Sequence, residues 1–449
     1  MAQSSAIFLF LMYSLGDKVD MSMVVANMDW RQLYTFASKQ AILGICFDGI
    51  ERLGEEYPEE LKKNPIERDL LITWMAKAQQ IRRQNVKVNG VAAKLYSKFG
   101  EDGLRCSILK GQGNALMYLN AYSRNPGDID VWVNASREQI TEYAKKHFKL
   151  GDDIRYQHIE TSVDGVPVEL HFFPCTMNNP IYNARLQKWF KRNADLQCSN
   201  VVCLPDGIGE IAIPTTAFNV VYQLTHLYHH FFDEGIGMRQ IIDYFLVVNN
   251  FSKNEMVSSK ITPSLFTLKE GSTFSPSPSS SGSGDVTALW CSEPLRSKDG
   301  GASKPSPGCA GWDRLAIEGD NSAGSTTVVT SSASTALDVV QKELKHLGLW
   351  KFAGAVMYVL HEALGLPEEK MIAPMDEKRG KLLLAEILNG GNFGRHFTKY
   401  GHFTQQGMAM KYFLKIWRNM HFVRYYPAEA LCEPIFRTWH FFWRLKHRR

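Results

Sequence analysis

Gly127-Asp128-Ile129-Asp130-Val131-Trp132-Val133 is the stretch on which the reading of this 449-residue chain turns. As a strand, its period of two places Asp128 and Asp130 on one face and turns Ile129, Val131 and Val133 toward a core. Two carboxylates at one strand end suit a divalent cation such as Mg²⁺. That ion takes oxygen ligands, keeps several waters, and binds through one or two carboxylates plus substrate phosphates.

Downstream, Arg155 to Ser162 and Val166 to Phe173 read as two strands joined through Val163-Asp164-Gly165, with Asp-Gly as the hairpin turn. On the second strand Val168, Leu170 and Phe172 alternate with Glu169 and His171, so Glu169 is expected to face the aspartate pair from a neighbouring strand. Upstream, Ser107-Ile108-Leu109-Lys110 has the character of a short buried strand, Gly111-Gln112-Gly113 of a turn, and Asn114 to Leu119 of a helix start. A helix N-terminus presents N–H groups to anions, and glycine lets a phosphate approach closely, with Lys110 adding positive charge. Each piece alone also has a plain structural reading, as a solvated strand edge, a simple turn or the wet face of a strand. The information lies in their order.

That order resembles the nucleotidyltransferase superfamily of DNA polymerase β and the small antibiotic-modifying nucleotidyltransferases, and within it a little-characterised bacterial group. The stretches that carry the likeness are Leu109-Lys110-Gly111-Gln112-Gly113, Arg124-Asn125-Pro126-Gly127-Asp128-Ile129-Asp130 and Val168-Glu169-Leu170-His171. Further along they are Gly237-Met238-Arg239-Gln240-Ile241-Ile242-Asp243, Gly390-Gly391-Asn392-Phe393-Gly394 and the region of Tyr425-Tyr426-Pro427. Where superfamily members usually carry Gly-Ser after the first strand, this chain has Gly111-Gln112, and its gap to Asp128 is longer.

The resemblance implies an α+β fold, a mixed β-sheet core of nucleotidyltransferase type flanked by N- and C-terminal helical regions. It implies metal-dependent transfer of a nucleoside monophosphate from a nucleoside triphosphate, such as ATP, with pyrophosphate leaving. Asp128 and Asp130 would hold Mg²⁺ or Mn²⁺, and Glu169 would complete a second metal site or take the acceptor's proton. Lys110, Gly111, Gln112, Gly113, Arg124 and Arg239 would bind phosphates, with His171, His226, His230 and Asp243 in the cleft. The acceptor stays open among a small molecule, a glycan intermediate, a protein and an RNA end. A rival reading is a non-catalytic module that holds a nucleotide or sugar phosphate without turnover.

Helical patterns fill the rest. Residues 1–100 read as a helical N-terminal region, 101–210 as the nucleotidyltransferase core, and 211–251 with 337–449 as a helical C-terminal domain. His226 and His230, four apart on an aromatic helix, suit either a metal pair or hydrogen-bonded groups of a cleft wall. Arg239 and Asp243 suit either an intrahelical ion pair or, through the arginine, a phosphate clamp. Gly390 to Gly394 fits a pocket-shaping loop or a plain turn. The aromatic run with Trp417, Trp439, Phe441, Phe442 and Trp443 fits core or a partner-facing surface. Over 252–336 the composition changes sharply, and Ser, Gly and Pro fill nearly half of 271–335. Such a segment buries too little to offset its chain entropy, so a disordered insert within one domain is expected.

Charge and cysteines exclude other classes. A net charge of +5 with no extended basic stripe argues against nucleic acid as the main partner, and the basic tail from Arg444 to Arg449 reads as solvated. The apolar run Ala6 to Tyr13 lacks a preceding Lys or Arg, is followed by Asp17 and Asp20, and is too short to span a bilayer. It reads as a first buried helix, with no membrane role. Eight cysteines without a Cys-x-x-Cys pair give no support to zinc-knuckle or redox chemistry and fit a reduced, cytoplasmic protein.

Overall fold

The computed structural model describes residues 3–258, 335–397 and 408–447, and the elements named below are those of the described residues. By its contacts the chain divides into Met1–Pro263 with Ser334–Arg449, and Ser264–Ala333. The second unit, and with it most of the expected insert, lies outside the described residues.

The N-terminal helices are α1 (Gln3–Ser14), α2 (Ser22–Ala26), α3 (Trp30–Lys39), α4 (Leu43–Glu56), α5 (Pro58–Lys63) and α6 (Arg68–Glu101). Local chemistry starts them where the sequence allows. Asp29 caps α3 by accepting the Gln32 N–H, and Pro58 opens α5 at a position whose N–H would have no helical partner. α6 buries Trp74, Ala78, Ile81, Val88, Ala92, Leu95 and Phe99 along one stripe of helical spacing. Its first half joins the core of the helical region and its second half joins the core under the sheet.

The α/β part runs β1 (Cys106–Leu109), α7 (Gly111–Ala115), β2 (Ile129–Val133), α8 (Arg137–His147), β3 (Leu150–Ile154), β4 (His158–Val163), β5 (Val166–His171), α9 (Pro180–Ser199), β6 (Val201–Cys203) and β7 (Glu210–Ala212). The larger sheet has the order β1-β2-β5-β4-β3. β2 and β5 run parallel, and the other neighbours are antiparallel. The sheet is therefore mixed, and the α+β fold with helical flanks implied by the resemblance is the fold observed. Asp164 (φ 52) and Gly165 (φ 73) both take left-handed backbone, the requirement of a two-residue primed turn. Ile108, Ile129, Val131, Val133, Val168 and Leu170 pack on Leu95, Phe99, Ile140 and Ala144. The opposite face carries Asp130, Glu169 and His171, and its Trp132 stacks on Phe218.

The C-terminal helices are α10 (Thr216–Asp233), α11 (Met238–Ser258), α12 (Ala336–His346), α13 (Trp350–Leu364), α14 (Glu377–Gly390), α15 (Met408–Met420), α16 (Pro427–Ala430) and α17 (Glu433–His447). Several expectations need correction. α7 begins at Gly111 instead of Asn114, so the glycines sit within the helix. Helices resume only after a small β6-β7 pair that extends past Pro205. The helices over 337–366 are α12 and α13, parted at Gly348 (φ 73), and α11 runs on into the expected insert as far as Ser258. Trp417, Trp439, Phe441 and Phe442 are exposed rather than core, although Trp439 and Trp443 meet the Tyr156 ring at 5.0 and 5.5 Å. Among the described residues no helix is long and apolar enough to cross a membrane.

Candidate functional site

Strand register builds the acidic group. Asp130 is the second residue of β2, paired with Leu109 of β1 on one side and with Glu169 of β5 on the other. Asp128 sits just before the strand on the same face. Oxygens of Asp128, Asp130 and Glu169 lie within 4.8 Å of one another. Asp130 is buried, Glu169 half-buried, and Asp128 opens to solvent at the rim.

Cations hold this group together. Lys110 Nζ is 3.1 Å from Asp130 Oδ2 and donates to His226 Nε2 at 2.8 Å, while His171 Nε2 lies 2.9 Å from Asp130 Oδ1 and 3.2 Å from Glu169 Oε2. Lys110 has φ 52 and ψ −129, a conformation that L side chains rarely adopt and that costs on the order of 1–3 kcal/mol. The sharp turn from β1 into α7 is what this strained residue makes, and its ammonium points back at Asp130.

The electrostatics follow from the geometry. The negative charge of Asp130, more than burial, pushes the Asp128 carboxyl up to about 6. Burial alone would raise Asp130 as well, but Lys110 and His171 hold it well below the usual carboxylate range. Burial also opposes a charged His171, yet hydrogen bonds to Asp130 and Glu169 raise it to about 9, and His171 in turn lowers Glu169 against the burial that would raise it. Burial, then the Lys110 charge, holds His226 well below its ordinary value, so a neutral ring accepts the hydrogen bond of the lysine ammonium. Burial, then His229, takes His230, 3.1 Å from His226, down to about 3.

These side chains wall one cavity of about 330 Å³. His171, His226, His230, Asp243, Arg124, Arg239, Lys110 and Gly111 all reach it, together with the three acids. Gln112 and Gly113 do not. Gln112 donates to Asn89 Oδ1 of α6, and Gly113 packs so tightly on Ile213 that a Cβ would lie 2.9 Å from its Cγ2. The intrahelical Arg239–Asp243 hydrogen-bonded pair does not form, because Arg124 occupies Asp243. Its Nε and Nη2 donate to the two carboxylate oxygens at 2.8 and 2.7 Å, and the Tyr118 hydroxyl donates to Oδ1 at 2.6 Å. Arg239 instead donates from Nη1 to Asn125 O at 3.1 Å, lies over the Phe393 ring at 5.5 Å, and keeps a buried Nε with no hydrogen-bond partner. Burial, then the nearby Arg124 charge, lowers the Arg239 guanidinium to about 10. Phe393 belongs to the Gly390–Gly394 segment, which thus forms part of the cavity wall.

Sequence reasoning missed His158, Gln223, Asp233 and Glu234 on the same wall. Gln223, His226, His230 and Asp233 recur at three- and four-residue spacing, a polar stripe on an aromatic helix that was readable beforehand. Gln223 exchanges hydrogen bonds with Asn114 of α7 at 3.0 and 2.7 Å.

The mixed sheet thus carries Asp130 and Glu169 in register, with Asp128 beside them and the Lys110 turn above. The chain belongs to the family described as "Uncharacterised nucleotidyltransferase", whose sequence profile matches residues 26–265. No curated protein matches it. Among solved structures, an antigenic nucleotidyltransferase-like protein from Paracoccidioides brasiliensis is 15% identical, with 36% of this chain and 75% of that one covered and a TM-score of 0.26, too low to inform the fold.

Proposed function

We propose that this cavity moves a nucleoside monophosphate from a nucleoside triphosphate, such as ATP, to an acceptor in the manner of the polymerase β-like superfamily. The convergence of Asp128, Asp130 and Glu169 within 4.8 Å carries the reading. The donor set fits Mg²⁺ or Mn²⁺, since all three ligands are hard oxygens and the raised Asp128 carboxyl records negative charge that a cation would relieve. Bound there, such an ion supplies charge neutralisation and orientation of the triphosphate.

In this reading Asp128 and Asp130 hold the cation, and Glu169 shares it or takes the acceptor's proton. Lys110 adds positive charge beside Asp130, and neutral His226 keeps its ammonium aimed. Arg239, with its unpartnered Nε, is the arginine placed for phosphate, whereas Arg124 is engaged by Asp243 and acts by positioning the segment before β2 against α11. The acceptor oxygen bonds to the α-phosphorus, the bridging bond to the β-phosphate breaks, pyrophosphate leaves, and the acceptor proton passes to Glu169 or solvent. Positioning and charge account for most of such a rate. The acceptor remains a small molecule, a glycan intermediate, a protein or an RNA end, and the scattered free cysteines suit a reducing cytoplasmic setting.

One observation favours the rival, a binding module without turnover. Gln112 and Gly113 face away from the cavity, which leaves the implied phosphate cradle to Lys110 and Gly111. Pyrophosphate release, measured with each triphosphate across acceptor pools in Mg²⁺, separates the two. Asp128→Asn with Asp130→Asn is expected to bring that release to background while thermal unfolding stays cooperative. Unchanged turnover in the double variant refutes the proposal.

A further inference from the structure

His158 opens β4 directly opposite His171 of β5, with ring centroids 5.0 Å apart. Both residues are buried, His158 at 9% exposure and His171 at 2%. A buried imidazole normally hydrogen-bonds through its ring nitrogens. His158 does not, and both its nitrogens lack a hydrogen-bond partner. Nδ1 lies 3.2 Å from Glu169 Oε2 without the alignment of a hydrogen bond, and Nε2 is 3.7 Å from Glu160 Oε1, beyond hydrogen-bond reach.

His171 has the complementary arrangement. Its Nε2 faces the carboxylates, while Nδ1 lies between the Gln157 side-chain amide at 3.3 Å and the Phe173 carbonyl at 3.4 Å. One nitrogen toward an ion and the other anchored on a backbone carbonyl is how metal-bound imidazoles are usually held. Ligand atoms of His158, Glu169 and His171 lie within 4.8 Å of one another, a span that one ion with bonds of about 2.1 Å closes after small rotamer shifts.

We infer that His158, Glu169 and His171 form a second cation site, for a divalent transition metal of the Zn²⁺, Co²⁺ and Mn²⁺ class, next to the acidic site and sharing Glu169 with it. Two imidazoles and one carboxylate suit those ions, whereas Mg²⁺ prefers oxygen ligands. The paired sites would differ in taste, a nitrogen-rich one beside an all-oxygen one. The inference goes beyond the transfer reading and does not depend on turnover.

Metal-stripped full-length chain, titrated with Co²⁺ alone and followed by visible absorption, tests it. A saturable ligand-field band is expected, with affinity at least tenfold weaker in His158→Gln and little changed in Asp128→Asn. Equal affinity in His158→Gln, or a band lost in His230→Gln instead, overturns the site. Should His158→Gln fail to fold, X-ray absorption of Co²⁺ bound to the unmodified chain decides, since two imidazole ligands in its shell support the site and fewer refute it. Absence of pyrophosphate release bears on the transfer reading alone, so the two failures are distinguishable.

Discussion

Arg124 and Asp243 form the most consequential side-chain pair outside the acids. Both are buried, and their bidentate contact joins the segment before β2 to α11. Removal of one partner from a buried ion pair leaves the other charge uncompensated. Asp243→Asn is therefore expected to destabilise the fold by about 3–5 kcal/mol in chemical denaturation. Nothing in the sequence pointed to this pairing, because the partners lie 119 residues apart, whereas the spacing of Arg239 and Asp243 suggested a local pair. At Asp128 the sign of the pH effect is fixed by its raised carboxyl. A group that ionises near 6 is protonated below that pH, and a proton there competes with a cation. Mn²⁺ affinity, followed by calorimetry, is expected to be nearly constant above pH 7 and to fall about tenfold per pH unit below about 6. A profile flat down to pH 5 would mean that Asp128 is no ligand.

Among elements, the β4-β5 hairpin was the most legible. The Asp164-Gly165 turn fixes the register, and that register alone sets Glu160 opposite Glu169 and His158 opposite His171. Glu169 was recovered from it, but His158 was passed over because a single histidine on a half-polar strand carries no local signal. The parallel pairing of β2 with β5 brings Asp130 beside Glu169, yet no turn connects the two strands, so only their shared period of two hinted at it. At α7 the glycines misled. Gly111-Gln112-Gly113 suggested a phosphate-binding turn, but the small residue at 113 is required by Ile213. Gly113→Ala is accordingly expected to cost about 1–3 kcal/mol of stability, by overpacking, with triphosphate affinity unchanged. Ile213→Ala in the same chain should recover part of that loss, and an affinity defect in Gly113→Ala at full stability would restore the phosphate-loop reading.

At the scale of the molecule, the described residues form two hydrophobic clusters, one beneath the sheet and one through the helical region, and α6 takes part in both. The acids lie on the sheet face turned toward α10, where Trp132, Trp189 and Phe218 stack, so the helical region closes the cavity that the sheet opens. The family resemblance was enough for the fold class, and helical periodicity for the flanks. Periodicity left the C-terminal aromatics open between core and surface, and several are exposed, because it shows which residues share a face and not what covers it. The central claim is that Asp128 and Asp130, with Glu169 beside them, hold a divalent cation that a triphosphate shares. Anomalous diffraction from crystals of the full chain grown with Mn²⁺ and a non-hydrolysable triphosphate tests it most directly. The account predicts a manganese peak at bonding distance, about 2 Å, from both aspartates, with phosphate oxygens completing its shell. Nucleotide bound elsewhere, or these carboxylates turned apart with no metal between them, would contradict it.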